Sequence, residues 1–293
     1  MVGRLPWSAL AAWGAVIGWL AGSVLRIRRA HVEAAMRTAG IDGPRRAARA
    51  MYTALGRSAC EFLWIAARRG SLAGVARIDD ASRALLARAR AGGRGVVLAA
   101  SHTGNWDLAA CAVAAEVPLL VVTKRLSARS LDAFWQGSRA AHGVALCEAA
   151  GALRRGRAHL ARGGAVAMMI DQVPLAESHA EDVPFLGRPA LVDRAPAALA
   201  AASGAPLVVT AARRDEGGRH VLSVLRVIEP PPRAGPSWVA SATREATLAL
   251  DAFVREHPSQ WLWLHRRWRG AASRGGGRVL SRPVDERPVD DRR

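Results

Sequence analysis

Hydrophobic and polar positions fall along this chain in blocks of two kinds. Short apolar runs, bounded by glycine, proline or arginine, occupy 95–100, 118–123, 143–146, 164–170, 206–212 and 220–228. They predict buried strands, being too short for helices and partly β-branched. Longer Ala- and Arg-rich stretches carry apolar residues at spacings of three and four, and predict helices over 30–36, 44–68, 81–91, 108–115, 126–141, 149–162, 194–203 and 238–256. In the second of these, Tyr52, Leu55, Ala59, Phe62 and Leu63 form the expected inward stripe, and Arg57 and Glu61 an i, i+4 surface pair. Phe134 and Trp135 are expected to point inward. Residues 173–191, which carry Pro184-Phe185-Leu186-Gly187-Arg188-Pro189, read as a loop. Strands that alternate with helices predict an α/β fold with a mainly parallel central sheet flanked by helices.

The N-terminus departs from this alternation. No residue from Leu5 to Leu25 is charged, and at about 1.5 Å per residue the run reaches roughly 30 Å, the thickness of a bilayer core. Trp7, Trp13 and Trp19 are of the anchoring type, and Arg26, Arg28 and Arg29 follow at once, which places the remainder in the cytoplasm by the positive-inside tendency. A cleaved leader with Ala21-Gly22-Ser23 as its small residues, and a buried core helix, are the competing readings. The domain expectation is therefore a membrane-anchoring segment over 1–28, one large domain over 29–270 and a disordered, charged and Gly-rich tail over 271–293.

Composition narrows the partners. The formal net charge is +18, and Lys124 is the single lysine among 42 basic residues. Such a balance suits anionic lipid, phosphate groups, an acidic carrier protein or nucleic acid. A nucleic-acid reader groups its cations on one recognition element, whereas here arginine is spread over nearly every helix, so no nucleic acid is expected. The three cysteines, Cys60, Cys111 and Cys147, lack C-x-x-C spacing, which favours neither a disulfide framework nor zinc and fits a reducing compartment. The histidines show no H-x-x-x-H spacing, and no metal is expected.

The chemistry concentrates in His102-Thr103-Gly104-Asn105-Trp106-Asp107, between the strand over 95–100 and the helix over 108–115. In a strand-end loop the His102 imidazole can fold back over Asp107 at the helix start. Asp107 then fixes the tautomer and leaves the other ring nitrogen as a general base. Gly104 lets the backbone approach a ligand, Thr103 or Asn105 can cap the helix, and amides at the helix start can stabilise an oxyanion. A histidine that merely packs or caps there is the competing reading. Arg125 and Asp171 also fall at strand exits, where parallel sheets gather ligands.

Three stretches together resemble the bacterial lipid A biosynthesis acyltransferases (the lauroyl/myristoyl group), within the wider lysophospholipid acyltransferases. HTGNWD resembles the family's H-x-x-x-x-D/E block. Asp171-Gln172 with VPFLGRPA resembles the second, and QWLWLHRRW the C-terminal signature. The resemblance covers most of the chain to about Arg269. It implies a glycerolipid-acyltransferase-like fold on the cytoplasmic face of the inner membrane, with the catalytic domain in the cytoplasm. It implies transfer of a fatty acyl chain from an acyl-carrier-protein thioester, or from acyl-CoA, to a hydroxyl of a glycolipid acceptor, without a cofactor. On it His102 resembles the catalytic base, Asp107 its partner, and Arg139, followed by Gly143, an arginine-to-glycine element. Gly104, Asn105, Arg125, Arg139, Asp171, Gln172, Arg188, Arg266 and Arg267 are the expected substrate-binding residues. Arg266 and Arg267 would meet phosphate groups while Trp261, Trp263 and Trp268 lie at the lipid interface; a buried aromatic stripe is the alternative. Asp at the fifth position after His, where lipid A enzymes commonly have Glu, leaves the acceptor open to a phosphoglycolipid, lysophospholipid or ornithine-type lipid. The protein is expected to act as a monomer.

Overall fold

A computed structural model describes residues 6–268 apart from Arg69 and Leu175. The tail expected over 271–293 lies outside them. Helix α1 (Trp7–Trp19) continues through a π turn (Leu20–Val24) to α2 (Arg29–Thr38) and α3 (Pro44–Ala66). Then follow β1 (Ala76–Ile78), α4 (Asp80–Arg90), β2 (Val96–Ala100), α5 (Trp106–Ala114), β3 (Leu119–Thr123), α6 (Arg129–Ala140), β4 (Val144–Glu148), α7 (Ala152–Leu160) and β5 (Ala165–Met169). Next come the hairpin β6 (Ala180–Phe185) and β7 (Arg188–Asp193), then α8 (Ala195–Ser203), β8 (Leu207–Arg214), β9 (His220–Ile228), α9 (Pro236–Glu256) and a 3-10 turn (Pro258–Gln260).

The central sheet has seven strands in the order β1-β9-β8-β2-β5-β3-β4. Every pair is parallel except β8 with β9. The α/β architecture expected from the alternation is thus present, with one antiparallel hairpin. Alternate residues face opposite sides: Val97 and Ala99 join one core with α7, α8 and α9, while Val96 and Leu98 join another with α4 and α5. Because α5 leaves β2 on one face and α7 enters β5 on the other, a crevice opens at the carboxyl ends of β2, β5 and β3.

Three local expectations are corrected. Residues 173–191 are not all loop: β6 and β7 pair antiparallel about Leu186-Gly187, both at positive φ. That two-residue turn matches the twist of a hairpin, and Val183, Phe185, Ala190 and Val192 alternate into the core around the two prolines. The buried side of α3 is Met51, Tyr52, Gly56, Cys60, Glu61, Trp64 and Ile65, so Ala59 and Leu63 face outward. Phe134 is likewise exposed on α6.

Helix α1 lies against α3 along Gly14, Gly18 and Gly22, one turn apart. A Cβ on Gly18 would fall 2.2 Å from the Tyr52 carbonyl oxygen, so these positions admit glycine alone. Leu10 is buried in the same core as α5, and Trp7 packs edge-on against Trp64 at 5.1 Å. The opposite side of the helix presents Trp13, Val16, Ile17, Trp19 and Leu20.

Candidate active site

His102 stands at the exit of β2, as its strand-end position requires. Its ring Nδ1 lies 2.9 Å from Asp171 Oδ1, and its backbone N–H donates to Asp171 Oδ2 at 2.8 Å. Asp171 follows β5, the parallel neighbour of β2, so sheet pairing brings together two residues 69 apart in sequence. The Trp261 indole N–H donates to Asp171 Oδ2 at 2.8 Å, which leaves this buried carboxylate with partners on both oxygens. The imidazole edge faces a cleft, with Trp106 edge-on at 5.1 Å and the Gln172 amide nitrogen 3.3 Å from Nε2.

The expected His102–Asp107 pairing is corrected here. Asp107 sits in the first turn of α5, but its Oδ1 accepts from Arg139 Nε at 2.7 Å and from the Trp135 indole at 3.1 Å, both on α6. Asp107 projects from the side of α5 that faces α6, whereas Asp171 reaches the ring from the adjacent strand. Asp107 acts on His102 only through its charge.

Electrostatics follow from these contacts. Burial pushes the Asp171 carboxyl up, but the charge and hydrogen bonds of His102 and the Trp261 indole outweigh it and hold the group at about 2. Burial likewise pulls His102 down, yet the charge and hydrogen bond of Asp171, helped by Asp107 and opposed by Arg139, leave it above the ordinary imidazole value. The ring therefore accepts a proton readily, with Nδ1–H fixed toward Asp171 and Nε2 toward the cleft.

The loop that carries His102 is fastened on all sides. Thr103 Oγ1 accepts from Ala212 N at 2.9 Å, the Gly104 N–H donates to Gln260 O at 2.7 Å, and Leu262 N–H donates to His102 O at 3.1 Å. Asn105 caps α5 through Leu108 N and donates from its amide to Ser58 O and Glu61 Oε2, both at 3.2 Å. Its backbone N–H donates to His220 Nδ1. His220 Nε2–H then donates to Glu61, which also pairs with Arg214. Glu61 is therefore buried and paired across the fold, while Arg57 bonds Ala11 O instead of Glu61.

The cleft has a volume of about 1540 Å³ and a mainly apolar wall. Its floor is Val121, Met168 and Met169, and one wall is the small-residue side of α8, including Ala195, Ala198 and Ala202. Of the expected substrate-binding residues, Arg125, Arg139 and Gln172 line it together with His102. The others do not. Gly104, with φ +55, lets the loop pass Ala212 O, where a Cβ would come within 2.7 Å. The Gly104 and Asn105 amides are both engaged by protein atoms and so are not oxyanion donors. Asn105 and Asp171 are buried behind the ring. Arg188 stacks over Trp268 at 4.7 Å, and Arg266 is exposed away from the cleft. Arg267 is 1% exposed and donates to Leu191 O at 2.6 Å, and Trp261, Trp263 and Trp268 are buried with it. The tryptophans and Arg267 of the C-terminal signature thus form a core wedge under the hairpin, while its Leu262 lines the cleft; a buried arginine that donates to a carbonyl looks in sequence like a solvated one. Trp261 and Trp135 are site residues that spacing did not reveal, since each acts on a carboxylate from a distant element.

A family model described as bacterial lipid A biosynthesis acyltransferase matches residues 1–270. The chain belongs to this family. The acyltransferase reading thus extends over the whole described region, and the three blocks that carried the resemblance sit around one crevice or directly behind it. No curated protein matches this acyltransferase at significant similarity. The run Trp7–Val24 is long and apolar enough to cross a membrane, with mean hydropathy 1.3 and 22% of it buried against the domain.

Proposed function

We propose that this acyltransferase moves a fatty acyl chain from a carrier-protein thioester to a hydroxyl of a lipid A precursor or a similar glycolipid, with His102 as general base and Asp171 as its orienting partner. The observation that carries the reading is the buried Asp171 carboxylate on Nδ1, with Nε2 turned into a long apolar cleft. In the proposed step Nε2 takes the proton of the acceptor hydroxyl as its oxygen attacks the thioester carbon. The C–S bond then breaks, and the imidazolium returns the proton to the leaving thiolate. The Gln172 amide, 3.3 Å from Nε2 and 3.4 Å from Nδ1 at the cleft wall, is the side-chain donor that supports the reading of an oxyanion site. The apolar wall accommodates the acyl chain, and Arg125 at its edge pairs with Glu148. The cysteines are buried and the Cys111 thiol is pushed up to about 12, chiefly by burial, which argues against a thiol nucleophile. The outward side of α1 rests on the membrane and, with Arg26 and Arg28 beside it, keeps the domain on the cytoplasmic face of the inner membrane.

The decisive test is acyl transfer by the detergent-purified protein. His102→Ala is expected to lower turnover by about 10² to 10⁴ while the variant stays folded. Near-normal turnover with the same donor would sink the assignment. Mass spectrometry of total lipids from a host lacking the gene names the acceptor through the missing acylated species.

A further inference from the structure

Helix α7 carries a feature that the acyl-transfer chemistry does not use. Its inner side is Ala152, Gly156 and Leu160, spaced four apart and buried in the core that holds α8. Its outer side holds Arg154, Arg155 and Arg157, all exposed, and none has a salt bridge among the described residues. Leu153 lies beside them, 55% exposed, and lines the cleft mouth. Lys124 extends the basic rim on the β3 side of the same cleft. The acids near this rim already have partners: Glu148 pairs with Arg125, Asp132 accepts from Leu126 N and Asp193 from Ala195 N.

We infer that the outer side of α7, Arg154, Arg155 and Arg157 with Leu153, is the docking surface for the acidic carrier protein that delivers the acyl thioester. This rests on the carrier-protein donor proposed above. Three guanidiniums within four residues repel one another unless an anionic surface neutralises them, and a charged rim around a binding mouth speeds encounter with an oppositely charged partner. A protein is favoured over a bilayer by how little apolar surface α7 exposes. Leu153 is the one large apolar residue exposed on α7, against five on α1 and its π turn between Trp13 and Leu20.

The test compares wild type with Arg154→Glu/Arg155→Glu/Arg157→Glu and with the milder Arg154→Ala/Arg157→Ala. The donors are purified myristoyl carrier protein and S-myristoyl pantetheine, an uncharged thioester. The charge reversal is expected to raise KM for the carrier-protein donor about tenfold or more and to abolish its salt dependence. The alanine pair should fall between, and turnover of the pantetheine thioester should stay unchanged. An unchanged carrier-protein KM, or equal losses with both donors, overturns the docking surface. So does lost binding to anionic vesicles with KM intact, which would assign the face to lipid. If wild type turns over neither thioester, the acyl-transfer reading fails. Docking is then read separately by titrating the carrier protein onto both proteins, where weaker binding to the variant supports it and equal affinity refutes it.

Discussion

At the residue scale, two carboxylates act on one imidazole by different routes. Asp171 touches the ring and is anchored by Trp261, so its charge sets both the tautomer and the proton affinity of His102. In the proposed mechanism the neutral ring is the base, so activity is expected to be lost as pH falls through the His102 value, which lies above the ordinary value of about 6.5. Asp171→Asn removes the anion that favours the imidazolium, so the acid limb of the kcat/KM profile is expected to move to lower pH while the plateau drops. A limb that stays in place would show that another group titrates there. Asp107 instead balances Arg139 beside the ring. Asp107→Asn leaves that guanidinium buried and unpaired, which is costly and opposes protonation of His102. The loss in Asp107→Asn/Arg139→Gln should accordingly be smaller than the two single losses combined, as measured by a double-mutant cycle; strict additivity would exclude the coupling.

At the scale of elements, the site depends on how α3 and the β8–β9 hairpin clasp the His102 loop, with α1 packed behind α3. Replacing Gly18 with leucine forces α1 off the Tyr52 backbone, an overpacking expected to cost about 1–3 kcal/mol and to appear as a lower Tm in detergent. Glu61 ties α3 to Arg214 and His220. Burial pushes the Glu61 carboxyl up, but the hydrogen bonds of His220 and Arg214 outweigh it and lower it, while burial depresses His220. Both groups bind protons more weakly folded than unfolded, so their stabilisation is present above their unfolded values of about 4.3 and 6.5 and is lost as pH falls. Chemical denaturation from pH 7 to 4 should record that decline. In Glu61→Gln the carboxylate's share of the slope should be missing.

For the molecule as a whole, the apolar N-terminal helix packs into the domain that follows it. Removing residues 1–28 uncovers Trp64 and the pocket that holds Leu10. The truncated protein is expected to aggregate instead of becoming a soluble enzyme, which size-exclusion chromatography with and without detergent would reveal. A reporter fused after Arg293 should read cytoplasmic, and periplasmic alkaline phosphatase activity from that fusion would overturn the orientation. The proposed chemistry requires no metal ion, so activity should survive a chelator; loss that zinc restores would demand another mechanism.

Short-range patterns of hydrophobicity, propensity and turn chemistry were enough to reveal the α/β alternation, the strand-end place of His102, a cap for α5 at Thr103 or Asn105 and the exit position of Asp171; the fold chose Asn105. The sequence by itself also carried the family through three local blocks. Tertiary structure decided which carboxylate serves the histidine, since β2 and β5 become neighbours only when a strand distant in sequence inserts between β2 and β3. It decided that Glu61, Arg267 and the tryptophans of the C-terminal signature are interior. Glu61, Arg267, Trp261 and Trp268 bond to partners 76 to 159 positions away, and burial with such partners leaves no periodic trace along the chain.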